Sequence, residues 1–296
     1  MANHDGDIHA TKPFPSLKKL IIKKMAEWEY SQIPECDVFS NLEEVCIIDC
    51  PKLIGELPKQ LSSLQSLEIS GCDKLVLPNV QLRIFNGNNQ QLSSLRKLKI
   101  RALKNLKDLY LEINRLTSLE NLEIDDCGSL LPFPVSCLPA SLKSLEYYKC
   151  CNLNLESESL QGGSPEFLRL LNCDSLSVIS LGSFPMPKSF DIEDCNSFDI
   201  VSIPSCGIGN QSSSSAILTS LQSLCIQYCD ELVSFLKGGL PAPNLTQIIF
   251  RNCKKLKSLP ELMESLLPSL RRLDLDGCPE SSASPREVYP SAYNPF

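Results

Sequence analysis

A short pattern of apolar residues recurs along the chain with constant internal spacing. Leu64, Leu67, Ile69, Cys72 and Leu75 give it the form LxxLxIxxCxxL. The form returns at 119–130, 142–153, 221–232 and 270–278. Two apolar residues that flank one polar position are typical of a strand buried on one face. Each copy therefore predicts one short β-strand followed by a return segment.

The second apolar residue of each copy measures the length of the repeat. Most intervals between successive copies are 22 to 25 residues, by subtraction of their numbers. An interval of 31 residues after Leu67 has room for a short degenerate copy at Leu82 and Ile84, and one of 34 residues follows Phe190. The residues that mark the repeat are Leu20, Val45, Leu67, Leu98, Leu122, Leu145, Leu168, Phe190, Leu224, Ile248 and Leu273.

Cysteine occupies a fixed column of the repeat. Nine of the fifteen cysteines lie five residues after the marking residue. A chain that turns inward after a strand needs a small buried side chain there, and a free thiol is a small hydrophobe with a weak donor. These nine are predicted to be structural: Cys50, Cys72, Cys127, Cys150, Cys173, Cys195, Cys229, Cys253 and Cys278.

The repeat predicts an α/β leucine-rich-repeat solenoid of about 11–12 repeats. Its strands would form a curved parallel sheet on the concave face, because one repeat cannot bury its apolar side without neighbours. Return segments contain proline, as at Leu57-Pro58 and Leu259-Pro260. Proline cannot donate to a ladder. The convex face is therefore predicted to be mostly irregular or short-helical.

The repeat pattern also predicts the domain organisation. Residues 1–13 form a polar N-terminal tail, and 14–280 form the solenoid. A flexible loop at about 204–217 is inserted into it, because PSCGIGNQSSSS lacks apolar periodicity. Residues 281–296 are rich in serine and proline and are predicted to be a C-terminal tail.

Charge and composition exclude several classes of function. The net charge is −7, from 28 basic and 35 acidic residues, so no nucleic-acid partner is expected. No run of 18 apolar residues suggests a membrane span, and no signal sequence is evident. An odd number of cysteines without a signal favours a reduced, cytoplasmic protein.

No catalytic or cofactor motif emerges from the sequence. The chain has no CxxC pair, and its two histidines, His4 and His9, lie in the polar N-terminal segment. Neither a zinc site nor another metal site is therefore expected. No nucleophile elbow, phosphate loop or dinucleotide fingerprint occurs. We expect a protein that is not an enzyme, has no cofactor and is monomeric in isolation.

Several segments resemble one family. The stretches 39–75 and 240–280 look like the C-terminal leucine-rich-repeat region of plant intracellular NLR disease-resistance proteins of the coiled-coil class. The segment FPSLKKLIIKKMAEWEY at 14–30 is similar to another stretch of that region. The resemblance implies a receptor domain that binds a pathogen effector, a guarded host protein or the receptor's own other domains.

The chain departs from that family in one respect. It contains no GxxxxGK[ST] loop, so nucleotide switching cannot be carried over. Both a fragment of a longer receptor and a stand-alone repeat scaffold fit the sequence. Alternatives are a ubiquitin-ligase substrate adaptor, expected to carry an F-box, and an extracellular receptor domain, expected to carry paired-cysteine caps. Neither feature is visible.

The residues that flank the apolar pair of each strand are predicted to face the concave side. Their charges group into basic and acidic stripes, which can steer a partner, and aromatic side chains interrupt them. Cys46 and Cys225 fall on the same face and are predicted to be accessible thiols. The predicted partner-binding residues are Arg96, Lys97, Lys99, Arg101, Glu120, Glu123, Asp125, Asp126, Tyr148, Phe167, Arg169, Leu171, Asp191, Glu193 and Tyr228.

Overall fold

A computed structural model provides the structure of the chain. It describes residues 14–29, 39, 41–54, 61–75, 92–109, 113–131, 138–152, 165–176, 178–180, 187–198, 200–202, 218–235 and 239–281. The N-terminal tail, the inserted loop and the degenerate copy at Leu82 and Ile84 lie outside the described residues. The same holds for the C-terminal tail after Ser281.

Eleven strands form one parallel sheet in which each strand pairs with the next copy of the repeat. Each strand is five residues long, and the residue that marks the repeat is its second residue. The strands are β1 Lys19–Lys23, β2 Glu44–Ile48, β3 Ser66–Ser70, β4 Lys97–Arg101, β5 Asn121–Asp125, β6 Ser144–Tyr148, β7 Phe167–Leu171, β9 Ser189–Glu193, β11 Ser223–Gln227, β13 Gln247–Arg251 and β14 Arg272–Asp276.

The register keeps equivalent residues side by side. Leu98 pairs with Leu122, and Leu122 pairs with Leu145. In the nine inner strands of this sheet the second and fourth residues are buried, whereas β1 and β14 at the sheet edges are more exposed. A one-residue slip would expose this whole set, so burial fixes the register. The parallel solenoid predicted from the repeat is confirmed.

Helix is scarce in the described part of the chain, as predicted for the return segments. Examples are a 3-10 turn at Asp73–Leu75 and the helix α1 at Met263–Leu266. Three short strands, β8 Val178–Ser180, β10 Ile200–Ser202 and β12 Ser234–Phe235, form a second parallel sheet. The second sheet was not predicted, because two or three residues per strand leave no readable alternation.

Each strand of the large sheet is followed by one residue in the left-handed conformation, and we call this set the trailing row. Its φ angles lie between 49° and 65°. Its backbone N–H groups donate to the last carbonyl of the next strand, as from Ala102 to Asp125 at 2.8 Å. The row turns the chain inward and comprises Lys24, Asp49, Gly71, Ala102, Asp126, Lys149, Asn172, Asp194, Tyr228, Asn252 and Gly277.

The cysteine column follows directly behind the trailing row. Each of the nine thiols donates to the carbonyl oxygen two residues earlier, over 3.1 to 3.6 Å. Seven also approach a carbonyl oxygen of the preceding strand, as Cys150 does to Ile124 at 3.8 Å. All nine are free, and all but Cys278 are buried. Cys278 is half-exposed because it follows the edge strand β14.

Candidate functional site

The sheet has one face turned away from the core, and we call it the open face. It is made by the first, third and fifth residues of each of the eleven strands, because side chains alternate across a strand. Lys97, Lys99 and Arg101 occupy these places in β4, and Asn121, Glu123 and Asp125 occupy them in β5. The open face is therefore the surface on which the sequence placed the partner-binding residues.

Charged groups on β4 and β5 pair with one another. Lys99 Nζ lies 2.6 Å from Glu123 Oε2, and Arg101 Nε donates to Glu123 Oε1 at 3.1 Å. Arg101 also approaches Asp125 at 3.9 Å and, on β3, Glu68 at 3.7 Å. The basic stripe on β4 and the acidic stripe on β5 thus neutralise each other, which reduces their power to steer a partner.

Glu123 is the centre of this cluster. Its burial alone would raise the pKa of the carboxyl group, but hydrogen bonds from Lys99 and Arg101 outweigh burial and leave the pKa below its ordinary value. Two cations that donate to one carboxylate favour its ionised form. Lys97 differs, since it is exposed and no carboxylate of a described residue lies within ion-pair distance.

Further pairs continue along the open face. Arg169 Nε donates to Asp191 Oδ2 at 2.9 Å, and Arg251 makes an equivalent bond to Asp274. Tyr148 donates its hydroxyl to Glu146. Partial burial, followed by the bond to Glu146, raises the pKa of Tyr148 to about 12, so its phenol stays neutral.

Apolar groups interrupt the charged face at β6 and β7. Phe167 is 49% exposed. Tyr148 and Leu171 are neighbours in the register, as the repeat predicted, and both are partly buried. Exposed aromatic groups beside aliphatic ones are frequent anchors of protein interfaces. Phe167 is the first residue of β7, whereas Tyr148 and Leu171 are the fifth residues of β6 and β7, so the apolar groups lie at the two ends of these strands.

Four predicted residues lie beside the open face rather than on it. Arg96 and Glu120 each precede a strand by one residue, while Asp126 and Tyr228 belong to the trailing row. Their predicted position on the face was wrong because each strand spans only five residues, whereas their role in binding a partner stays a prediction. Tyr228 is nevertheless 45% exposed.

The residues that precede the strands form a charge ladder, which we call the leading row. Lys18 pairs with Glu43 at 2.9 Å, and Lys188 pairs with Glu166 at 2.7 Å. Glu120 accepts from both Arg96 at 3.4 Å and Lys143 at 3.1 Å. Sequence reasoning missed this ladder, although charge of alternating sign just before the marking residue would have signalled it. The ladder joins neighbouring repeats at one margin of the sheet.

Of the two thiols predicted to be accessible, Cys46 is not, and Cys225 is only partly accessible. Cys46 is buried, and burial raises its pKa to about 11. Cys225 is half-buried, and its sulfur accepts a bond from Gln227 Nε2 at 3.2 Å. Their neighbours on the sheet cover them, which a strand position alone does not reveal.

The described residues contain no group of three or more histidine, cysteine or carboxylate side chains arranged to hold a metal ion. Within the same residues, no helix has the length and hydropathy needed to cross a bilayer.

Comparison with known proteins fits this architecture. The family model of RPS2-like leucine-rich repeats of plant disease resistance proteins matches residues 4–152, which is half of the chain. The chain belongs to this family of plant disease-resistance leucine-rich repeats. Its defence-related repeats form a protein-interaction domain.

Two relatives from Arabidopsis thaliana extend the match. Disease resistance protein At3g14460 is 34% identical over 77% of the chain, and the disease resistance RPP13-like protein 1 is 30% identical over 49%. The chain covers only 13% and 14% of their lengths, respectively.

Among solved structures, the leucine-rich repeat domain of the type III effector XopL shares the fold. It superimposes with a TM-score of 0.52, at 20% sequence identity, over 74% of this chain and 72% of that domain. At this level of identity the likeness concerns the fold alone.

Proposed function

We propose that the open face is the ligand-sensing surface of a plant immune receptor. Its partner would be a pathogen effector, a guarded host protein or other domains of the same receptor. In the last case the repeats would hold those domains inactive. The observation that carries this proposal is Phe167, an aromatic side chain that is 49% exposed on a face where neighbouring charges, such as Arg169 and Asp191, are already paired. An exposed aromatic side chain adds affinity, and the charges around it set the register of a partner.

The remaining predicted residues on the face belong to the same proposal. Paired charges such as Arg101 with Glu123 and Arg169 with Asp191 would form a polar rim, and Lys97 and Glu193 would extend it. The proposed module has no catalytic activity and is monomeric. A cytoplasmic location is proposed as well, since twelve described cysteines are free thiols, as expected in a reducing compartment.

Substitution of Phe167 tests this proposal against a matched phenylalanine. Phe167→Ser should weaken capture of the native partner from plant extract by about tenfold, because a central aromatic contact is lost. Phe14 is 65% exposed but lies in the turn before β1, so Phe14→Ser should bind as wild type. Crosslinking with mass spectrometry would identify the captured protein. Equal loss in both variants, or in neither, would contradict a role for the open face.

A further inference from the structure

The trailing side of the open face carries tyrosine and leucine side chains between carboxylates, of which Tyr228 is exposed and Tyr148 and Leu171 are partly buried. We define the trailing margin as the fifth residue of β5, β6, β7, β9 and β11 together with the trailing-row residue after each. The strands are adjacent in the sheet, so the margin spans four strand spacings, or roughly 19 Å. It is long enough to contact a short peptide segment.

Tyr228 is the first observation. Its φ is 54°, in the left-handed region, and it carries the only aromatic ring of the trailing row, whose other members are Gly, Ala, Asn, Asp or Lys. It is 45% exposed, so much of its surface is available to a partner. An exposed aromatic ring at the margin of a sheet is a candidate anchor for a protein partner.

Charge is the second observation. Asp126, Glu193 and Asp194 have no cationic side chain within ion-pair distance among the described residues, whereas Asp191 and Glu123 are paired. Four of the ten margin residues are carboxylates and one is a lysine. Tyr148 and Leu171 lie between the acidic groups in the register. The margin thus combines aromatic rings with unpaired negative charge.

This combination fits arginine in particular. A guanidinium group pairs with carboxylates and also stacks on aromatic faces. We propose that the trailing margin binds a cationic, arginine-containing segment of a protein partner, with apolar residues of that segment against Leu171. The inference rests on the proposed function, since it names the chemistry of the partner for one side of the same face.

Synthetic peptides that alternate arginine with leucine test this proposal on the full chain by fluorescence anisotropy. They should bind at least about tenfold more tightly than peptides in which glutamine or glutamate replaces arginine. Raising the salt from about 0.05 M to about 0.5 M should weaken the binding, because screening shortens the reach of charges. Equal affinity for the arginine and glutamine peptides would overturn the proposal.

Variants of the margin locate the binding. Asp126→Asn, Glu193→Gln and Asp194→Asn together should lower affinity for the arginine peptide about tenfold. Tyr228→Asn, which keeps a residue tolerant of the left-handed conformation, should lower it severalfold without loss of folding. The matched control removes three exposed carboxylates elsewhere, with Glu29→Gln, Glu264→Gln and Glu280→Gln.

The control variant should retain wild-type affinity, and equal loss in both triple variants would show unspecific attraction and overturn the proposal. Phe167→Ser should keep peptide affinity, because Phe167 lies at the opposite end of its strand. Failure of the peptide test would leave partner capture through Phe167 untouched, so the two proposals can fail separately. Sedimentation tests whether the margin instead binds a second copy of this chain. If the wild-type protein is a dimer and the margin variant is a monomer, the margin is a dimer interface and the inference is overturned.

Discussion

At the scale of single residues, the trailing row holds a conformation that most amino acids avoid. An L-residue with a side chain pays roughly 1–2 kcal/mol in the left-handed region, and glycine avoids that cost. The row uses glycine at positions 71 and 277 but alanine at 102 and tyrosine at 228. The solenoid therefore contains residues whose replacement should raise its stability.

Ala102→Gly should stabilise the protein by about 0.5 to 1 kcal/mol. This net gain is the backbone strain that glycine relieves, reduced by the larger conformational entropy that glycine loses on folding. Gly71→Ala should lower the stability of the protein, because φ is 60° there and the added Cβ would lie 2.8 Å from Asp49 Oδ1. Urea denaturation of both variants measures the difference. An Ala102→Gly protein that unfolds at lower urea would show that the turn depends on the alanine methyl group.

At the scale of elements, ion pairs connect each strand to its neighbour. Most are exposed and contribute little. Glu123 is the exception among the pairs described here, because its side chain is only 14% exposed and accepts from two cations. Its lowered pKa means that the folded state prefers the ionised carboxylate. Stability from this group is present above the unfolded pKa of about 4.3 and is lost as the pH falls through the lower folded value.

Glu123→Gln should therefore lower stability at neutral pH by about 1 to 2 kcal/mol, since two charged hydrogen bonds are lost. The difference from wild type should shrink as the pH falls below about 4. Glu231→Gln, which disrupts the exposed pair with Lys255, should change little at any pH. Thermal unfolding at several pH values measures both. A pH-independent deficit in Glu123→Gln would mean that packing, not charge, stabilises the cluster.

Element boundaries also show what the sequence could predict. The marking residue of each copy predicts the position of all eleven strands. It begins a pair of buried residues at fixed spacing, and this pair allows only one register between neighbouring strands. The pairing of Lys99 and Arg101 with Glu123 depends on which strands are adjacent and on their side-chain directions. Cys46 shows the same limit, since its strand position predicts exposure while its neighbours bury it. The apolar periodicity therefore predicts the course of the backbone. The exposure and pairing of side chains on the open face depend on contacts between neighbouring repeats.

At the scale of the whole molecule, each repeat contacts chiefly the repeats on either side of it. Pairing in the large sheet joins only consecutive strands of the series. Stability in such an array is close to a sum of repeat and interface contributions. An inner strand such as β6 has two interfaces, whereas among the described residues β14 pairs with β13 alone. The cost of a core substitution should therefore depend on its place in the series.

Leu145→Ala and Leu273→Ala test this dependence with the same chemical change. Leu145 is buried in β6, so its truncation should cost about 2–5 kcal/mol, while half-buried Leu273 in β14 should cost less than half as much. Hydrogen exchange should show faster opening of β5 to β7 in the first variant and of β13 and β14 in the second. If hydrogen exchange became faster to the same degree in all strands of both variants, the sheet would unfold as one cooperative unit. The loss of stability would then not be confined to the repeats around the substitution.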